Sequence, residues 1–401
     1  MTHNTLRNQN DFSILSKEWI QNPYPFYDQL REQQPIYWLS SITHKGWFIT
    51  GYEEAINILK DQRFRVRKPL PRNTHKFKDL KYIQNEMMLY KNPPDHTRLR
   101  SMFQETFAQQ AILQLKPLIE KTVDDLLNSV KSIGTMDVIQ DFAFPLPSMI
   151  IAEILGIPKE DRHKVRSWTN QLLGVIDLTR TNHTLYKGNE IAQQVKEYFR
   201  DLLLKRKQMP KEDVISQLAQ NTSLTEDEIM SSLILLLIAG HETTVNLIAN
   251  SILTLLTHQE QMHLLKQNPS FIHSAIEECL RFESPTQITA RYAAENIMVG
   301  NALFKRGEQI YIVLGAANRD PKKFSEPNQF DITRSPNPHL AFGAGTHYCL
   351  GSQLARLEAQ IAVNSFIQRF DQITQLDPSP RWRKLAGFRA LKSLPVSFTA
   401  K

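Results

Sequence analysis

The sequence has little cysteine and no long apolar run. Only two cysteines, Cys279 and Cys349, occur among 401 residues, which excludes a disulfide framework and a four-cysteine zinc site. The longest uncharged apolar run, 233–240, is far shorter than the ~20 residues that a membrane-spanning helix needs. Polar residues occur throughout the first stretch of the chain, so neither a signal peptide nor an anchor is expected there. We therefore expect a cytoplasmic protein without a membrane anchor.

Flexible linkers, repeats and dense basic runs are also missing. Without a tract rich in glycine and serine, a single domain over residues 1–401 is the simplest organisation. The formal net charge is +7, but lysine and arginine are spread along the chain rather than clustered, which argues against nucleic acid as a partner. The positive charge is also compatible with a small acidic protein partner, either an electron-transfer protein or an acyl carrier.

Helical periodicity dominates the middle of the chain. Apolar residues recur at helical spacing in 112–130, 191–204 and 229–256. The segments 35–49 and 297–313 instead carry β-branched and aromatic residues broken by glycine and asparagine, as short strands do. The sequence therefore predicts a mainly α protein with small β-sheets. We expect about residues 20–70 and 290–315 and the carboxyl-terminal segment to form these sheets.

One predicted helix is unusually long. Thr225 and Glu228 have the spacing of a capping box, and the next proline is Pro269. A helix of about thirty residues can begin here, well above the mean of ~11–12 residues. Its side chains are apolar on nearly every side up to Gly240, which is the pattern of a buried helix.

The most distinctive segment is a glycine-rich loop that ends in a cysteine. It reads FGAGTHYCLG over 342–351 and precedes a helix-forming run, 352–361. A cysteine just before a helix amino terminus is favoured as a thiolate, which can bind iron. One alternative is a small buried apolar cysteine. A phosphate-binding G-x-G-x-x-G loop is excluded because Tyr348 stands where the third glycine is required.

This loop resembles the haem-binding loop of the cytochrome P450 family, in which Phe, Gly, Cys and Gly have the spacing of Phe342, Gly345, Cys349 and Gly351. The resemblance implies the P450 fold, a single large helical domain with a minor β-rich region. It also implies haem b as cofactor, with Cys349 as the axial ligand of the iron. Such a thiolate pushes electron density to the metal and favours O–O cleavage.

The resemblance implies further haem-binding residues. His347 matches a position that pairs with a haem propionate, as do Arg291 and the pair His96 and Arg100, which lie one helical turn apart. An exposed strand arginine is the alternative for Arg291. The complete set of expected cofactor-binding residues is His96, Arg100, Phe107, Ala239, Gly240, Arg291, Ala341, Phe342, Gly343, His347, Cys349 and Gly351.

Glu278 and Arg281 are spaced to pair on one helical face. A pair of this kind at a surface is common and contributes less than about 1 kcal/mol. In the P450 family the corresponding residues join a downstream arginine, here Arg334, and lock the fold around the haem. Cys279, which lies between them, is expected to be ordinary core.

The segment AGHETT, 239–244, matches the oxygen-activation motif of the same family. Ala239, Gly240 and Thr243 share one helical face, which forms a shallow patch that a flat cofactor and O2 can approach. The Thr243 hydroxyl can reach the carbonyl of Ala239. By resemblance, Glu242 and Thr243 are the catalytic pair that delivers protons to O2. A partly exposed glutamate is the alternative for Glu242.

This acid and alcohol pair argues against two rival functions, a non-catalytic haem sensor and a peroxide-driven enzyme. The resemblance thus implies a monooxygenase that takes electrons from a ferredoxin or flavodoxin with its reductase, because no flavin domain or iron–sulfur cysteine cluster is recognisable.

Several stretches are most similar to the bacterial biotin-pathway P450s, which cleave a fatty acyl chain on acyl carrier protein. An apolar substrate, a fatty acid or carrier-bound acyl chain, is therefore expected, with hydroxylation of a steroid, terpenoid or macrolide as the alternative. The expected substrate residues are Leu236, Gln287, Ile288 and Phe388. Gln287 alternatively serves only to satisfy backbone groups of its strand.

Overall fold

The protein is described by a computed structural model over residues 16–40, 45–66 and 76–400. Its contacts group the chain into two compact units. The sheet unit consists of residues 257–349 and 381–392 with the described part of the first 67 residues. The helical unit consists of residues 350–380 and 393–400 with the described part of 68–256. The single domain expected over residues 1–401 stays a prediction.

Helices make up most of the described chain. In chain order they are α1 Lys17–Gln21, α2 Tyr24–Gln33, α3 Tyr52–Lys60, α4 Lys78–Glu86, α5 Asp95–Ser101, α6 Gln109–Gln114, α7 Lys116–Lys131, α8 Pro145–Leu155, α9 Arg162–Ile176, α10 Asn182–Gln208, α11 Val214–Ala219, α12 Glu226–Ala239, α13 Glu242–Thr257, α14 Gln259–Gln267, α15 Ile272–Phe282, α16 Leu314–Ala317 and α17 Ser352–Arg369. A π-helical segment, Val138–Ala143, precedes α8.

The strands are short. They are β1 Ile36–Ser40, β2 Lys45–Ile49, β3 Phe64–Arg65, β4 Thr135–Asp137, β5 Ile288–Ala293, β6 Ile297–Val299, β7 Ala302–Phe304, β8 Gln309–Val313, β9 Phe370–Gln375 and β10 Pro395–Ala400. The predicted mainly α fold with small sheets is confirmed, as are the two β-rich segments.

The sheet unit contains a five-stranded sheet in the order β1-β2-β8-β5-β3. The β2–β8 pair is parallel, and the other neighbours are antiparallel. Its apolar side chains, among them Ile49 and Ile312, form one buried core with those of α3 and with Phe304 of β7. The strand β6 pairs with β7 as a separate hairpin. Strand β5, which carries Arg291, lies between β8 and β3 in the five-stranded sheet.

In the helical unit, the carboxyl-terminal strands β9 and β10 pair with β4 in a three-stranded sheet. The sequence did not indicate β4, because three residues are too few to show a strand period. The predicted long helix is present as α12 and α13, interrupted at Gly240 and His241. Its capping box is confirmed, since the Glu228 amide donates to Thr225 Oγ1 at 3.2 Å and the Thr225 amide donates to Glu228 Oε2 at 3.0 Å.

Two helical stretches, 138–155 and 226–257, have the length and hydropathy of a membrane span. Both are mostly buried inside the protein, 67% and 83% respectively. Core helices have the same character, because a helix buried on all sides is apolar all round.

A buried charge network lies between α15 and the chain that leads to Cys349. Arg281 pairs with Glu278 at 2.7 Å, and Arg334 reaches the same carboxylate at 3.2 Å. The side chains of Glu278 and Arg281 are 0% exposed. Arg281 also donates to the carbonyls of Asn318, Pro327 and Gln329. The family-based expectation for these three charges matches this geometry, and Cys279 is buried as predicted.

Replacing Glu278 with glutamine should destabilise the protein strongly. The substitution leaves two guanidinium charges without their carboxylate, and breaking a buried pair costs about 3–5 kcal/mol. Urea unfolding followed by circular dichroism measures the loss. The matched control is Arg369→Ala, which breaks the more exposed pair with Asp124 and should cost less than about 1 kcal/mol. Equal losses of unfolding free energy in the two variants would show that the buried network contributes no more to stability than the more exposed pair does.

Candidate active site

The cysteine loop has a backbone that only glycine permits at two positions. Gly343 and Gly345 have φ values of 71° and 70°, in the left-handed region. A Cβ on Gly345 would also lie 2.5 Å from the carbonyl oxygen of Leu59. The loop closes through a 3.0 Å hydrogen bond from the Cys349 amide to the Phe342 carbonyl.

Cys349 is only half-buried, whereas Cys279 is fully buried. The alternative of a buried core cysteine therefore describes Cys279 and not Cys349. The next helix, α17, begins at Ser352, as predicted. In the same loop Ala341 is buried, and Phe342, Gly343 and His347 are half-buried. The loop thus presents an accessible sulfur among the residues expected to surround the cofactor.

Arg291 is a buried cation in the sheet unit. Its side chain donates to the Ala290 carbonyl at 2.8 Å and to Thr289 Oγ1 at 3.4 Å, and both acceptors are neutral. The residue is 6% exposed, and this desolvation lowers the pKa of Arg291 to about 10. The alternative of an exposed strand arginine is therefore wrong. A buried guanidinium with neutral partners is a good site for an anionic group.

In the helical unit, α5 begins after Pro93 and Pro94 and carries both His96 and Arg100. His96 is buried and Arg100 is half-buried. Phe107 and Gly351, two further expected cofactor residues, also come together in this unit. A Cβ on Gly351 would lie 4.0 Å from the Phe107 ring, which is ordinary contact.

The junction of α12 and α13 is accessible on one side only. Residues 228–238 and 244–256 are buried, but Ala239 is exposed, and Gly240 and Thr243 are half-buried. Thr243 Oγ1 donates to the Ala239 carbonyl at 2.9 Å, as predicted. The predicted shallow patch is therefore present on the most buried helix of the unit.

Gly240 has a packing role as well. A Cβ there would lie 2.9 Å from Ile151 Cδ1 and 2.9 Å from the Leu236 carbonyl oxygen. Gly240 is thus required for close packing of α8 on this junction. Its contact with the cofactor stays a prediction.

Glu242 is 2% exposed, so the alternative of a partly exposed glutamate is wrong. Its Oε2 lies 3.8 Å from Nδ1 of His241, which is itself fully buried. His241 Nε2 lies 2.6 Å from the hydroxyl oxygen of Ser148 on α8. The contact between His241 and Ser148 was not predictable from the sequence. No local pattern links the two residues, because they are 93 positions apart.

The expected substrate residues of the sheet unit lie side by side. The Gln287 amide donates to the Gly387 carbonyl at 2.8 Å, next to Phe388, and Ile288 begins β5. The Gln287 side chain accepts from Tyr27 and donates to the Ser284 carbonyl, outside β5, so its substrate role and its structural alternative both stay predictions. Leu236, in the helical unit, is buried on α12.

Comparison with known proteins agrees with these motifs. The cytochrome P450 family profile matches residues 12–389. The biotin biosynthesis cytochrome P450 of Bacillus subtilis is 52% identical over 96% of this chain and 98% of its own length.

Two solved structures are informative. The crystal structure of P450BioI, in complex with hexadec-9Z-enoic acid ligated acyl carrier protein, matches with a TM-score of 0.94 at 52% identity, covering 96% of this chain and 100% of its own. CYP109E1 from Bacillus megaterium, in complex with testosterone, matches with a TM-score of 0.86 at 30% identity, covering 95% and 99%. By sequence and by fold, the chain belongs to the cytochrome P450 family and is a haem b-dependent monooxygenase.

Proposed function

We propose that this monooxygenase oxidises a long fatty acyl chain carried by an acyl carrier protein, by hydroxylation or oxidative cleavage. The observation that carries the proposal is the whole-length similarity to the biotin biosynthesis P450 and to P450BioI, whose structure contains an acylated carrier protein. The net charge of +7 supports an acidic carrier as partner. Steroid oxidation is the second candidate, because CYP109E1 was solved with testosterone.

The residues present fit a haem. Cys349 supplies an accessible sulfur as the iron ligand, and the buried, uncompensated charge of Arg291 fits a propionate. His96, Arg100 and His347 are proposed as further propionate partners, and the remaining expected cofactor residues as apolar contacts. When bound, the haem supplies a redox-active iron at which O2 is activated.

The chain's own contribution to proton delivery is assigned to Thr243 and Glu242. Thr243 lies on the accessible patch, and its hydroxyl donates a hydrogen bond to the Ala239 carbonyl. Rotation about its side-chain bond can turn that hydrogen toward a molecule on the patch. Glu242 is buried directly behind it and can hold the replacement proton.

Electrons are proposed to come from a ferredoxin or flavodoxin with its reductase, in the cytoplasm. The positive net charge of the chain supports an acidic donor of this kind.

Replacing Arg291 with leucine should change haem affinity and apoprotein stability in opposite directions. Because the folded-state pKa is lowered to about 10, the charge opposes folding at neutral pH, and this opposition begins to decline only above about pH 10. The apoprotein should therefore become more stable to urea. Haem should dissociate about tenfold faster or more, since a charge-assisted hydrogen bond contributes ~1.5–3 kcal/mol. Arg65→Ala, at an exposed position of β3, is the matched control, and haem loss as slow as in this control would contradict the role of Arg291.

Replacing Thr243 with alanine should uncouple O2 consumption from product formation. General acid catalysis contributes roughly 10²–10⁴-fold, and water can replace part of it, so we expect about a tenfold loss of product per O2. The missing O2 should leave as hydrogen peroxide, measured against oxygen uptake. Thr243→Ser keeps the hydroxyl and should retain coupling. Wild-type coupling in the alanine variant would remove the assigned role.

The substrate proposal is tested by the spectral change that accompanies displacement of iron-bound water. Acyl carrier protein that carries a long acyl chain should give this spectral change at lower concentration than the free fatty acid, steroids or macrolides. Carrier protein with an unacylated prosthetic arm is the control and should give none. A response to steroids or macrolides alone would overturn the fatty acyl assignment.

A further inference from the structure

The helical unit contains a buried polar side chain, His241, to which the oxygen-activation motif assigns no role. His241 lies at the interruption between α12 and α13, next to Glu242, and its side chain is 0% exposed. Its ring packs edge-on against Phe144 at 4.3 Å between centroids. Its Nε2 lies 2.6 Å from Ser148 Oγ and 3.3 Å from the Phe144 carbonyl oxygen. The ring is therefore held in place from the side of α8.

These contacts define which ring nitrogen carries hydrogen. The Ser148 hydroxyl has one hydrogen, which it donates to the Phe144 carbonyl at 2.9 Å. A carbonyl oxygen can only accept, and the serine oxygen, having donated its hydrogen, accepts as well. Nε2 of His241 faces both oxygens, and we assign it the ring hydrogen, because a lone pair there would face the lone pairs of the Phe144 carbonyl oxygen.

This assignment leaves Nδ1 as the ring's variable nitrogen. In the neutral ring Nδ1 holds a lone pair, and in the charged ring it holds a second hydrogen. Nδ1 is the nitrogen that lies 3.8 Å from Glu242 Oε2. Successive side chains on a regular helix do not face each other. The interruption of the helix at Gly240 and His241 thus accompanies the close approach of these two neighbours.

We propose that His241 is a positioning residue for Glu242, with which it shares one proton. Nδ1 and Oε2 are 3.8 Å apart, beyond hydrogen-bond distance, so the Glu242 side chain must move closer to the ring before the proton is shared. In that hydrogen-bonded form the proton lies either on the carboxyl, directed to the Nδ1 lone pair, or on Nδ1, directed to the carboxylate. Moving it between Oε2 and Nδ1 changes no other bond and leaves the net charge of the pair unchanged. The sharing keeps a buried carboxyl oriented and supplied with a proton. The inference rests on the proposed proton-delivery role of Glu242.

One substitution distinguishes the proposed role of His241 from a merely structural role, in which the ring only holds α8 against the α12–α13 junction. In His241→Gln, the amide nitrogen can take the place of Nε2 and donate to Ser148 and Phe144, but no basic nitrogen faces Glu242. Ser251→Ala is the matched control, because it removes another buried hydroxyl, on α13, that bonds a backbone carbonyl. Thermal unfolding of the haem-loaded proteins establishes that both variants are folded.

The experiment measures peroxide release per O2 and the carboxyl stretching band of Glu242 in infrared spectra, which Glu242→Gln identifies by abolishing it. With His241→Gln we expect a several-fold rise in peroxide and a shifted band. The rise should vanish when the substitution is made in the Glu242→Gln background, since His241 acts through Glu242. Ser251→Ala should leave both readouts at wild-type values.

Three results would overturn the proposal: wild-type coupling in His241→Gln, an unshifted band, or a peroxide rise that persists in the Glu242→Gln background. Failure of the underlying function shows itself separately, as wild-type coupling in Glu242→Gln alone. In that case the infrared band still decides whether His241 and Glu242 share a proton, with a shift supporting the sharing and an unshifted band overturning it.

Discussion

The buried carboxylate of Glu278 is the constraint on which the course of the chain toward Cys349 depends. A charge removed from water is tolerated only when its hydrogen bonds are complete. Here they are supplied by Arg281, Arg334, the Asp331 amide and Asn337. Three of these groups belong to the segment that follows β8, so that segment can satisfy the charge in few arrangements.

The same constraint extends to the start of the cysteine loop through Asn318. Arg281 donates to the Asn318 carbonyl, and the Asn318 side chain in turn accepts from the Leu340 amide at 2.6 Å. Leu340 lies two residues before the loop. The start of the loop is therefore coupled by hydrogen bonds to a charge pair on α15, and the backbone connects it to Cys349.

Features that depend on near neighbours in the sequence were predictable. The capping box of α12, the pairing of Glu278 with Arg281 and the bond from Thr243 to Ala239 each join residues within four positions, and helical geometry alone implies them. The family loop at 342–351 indicated Cys349 as the proposed iron ligand. Arg334 was found only because the family pattern includes it, since no spacing rule connects it to Glu278.

Contacts between distant segments were not predictable from one sequence. The packing of Ile151 against Gly240 joins α8 to the α12–α13 junction, and so do the bonds of Ser148 to His241. Neither leaves a periodic trace in the chain. The burial of Arg291 was also missed, because an arginine on a strand is more often exposed and only the folded sheet shows otherwise.

Two of the family motifs contain features that are unfavourable for folding: a buried charge at Arg291 and an interrupted helix at the α12–α13 junction. Arg291 is a cation buried among neutral partners, which opposes folding of the apoprotein and makes anion binding stabilising by mass action. At the α12–α13 junction a buried helix is interrupted, and a threonine hydroxyl bonds the Ala239 carbonyl. Local inconsistencies of this kind are expected where a site serves function rather than stability. A fold selected for stability alone would place a continuous helix and an apolar strand residue here. Each departure therefore supports a functional role for its own residues, independently of the cysteine motif.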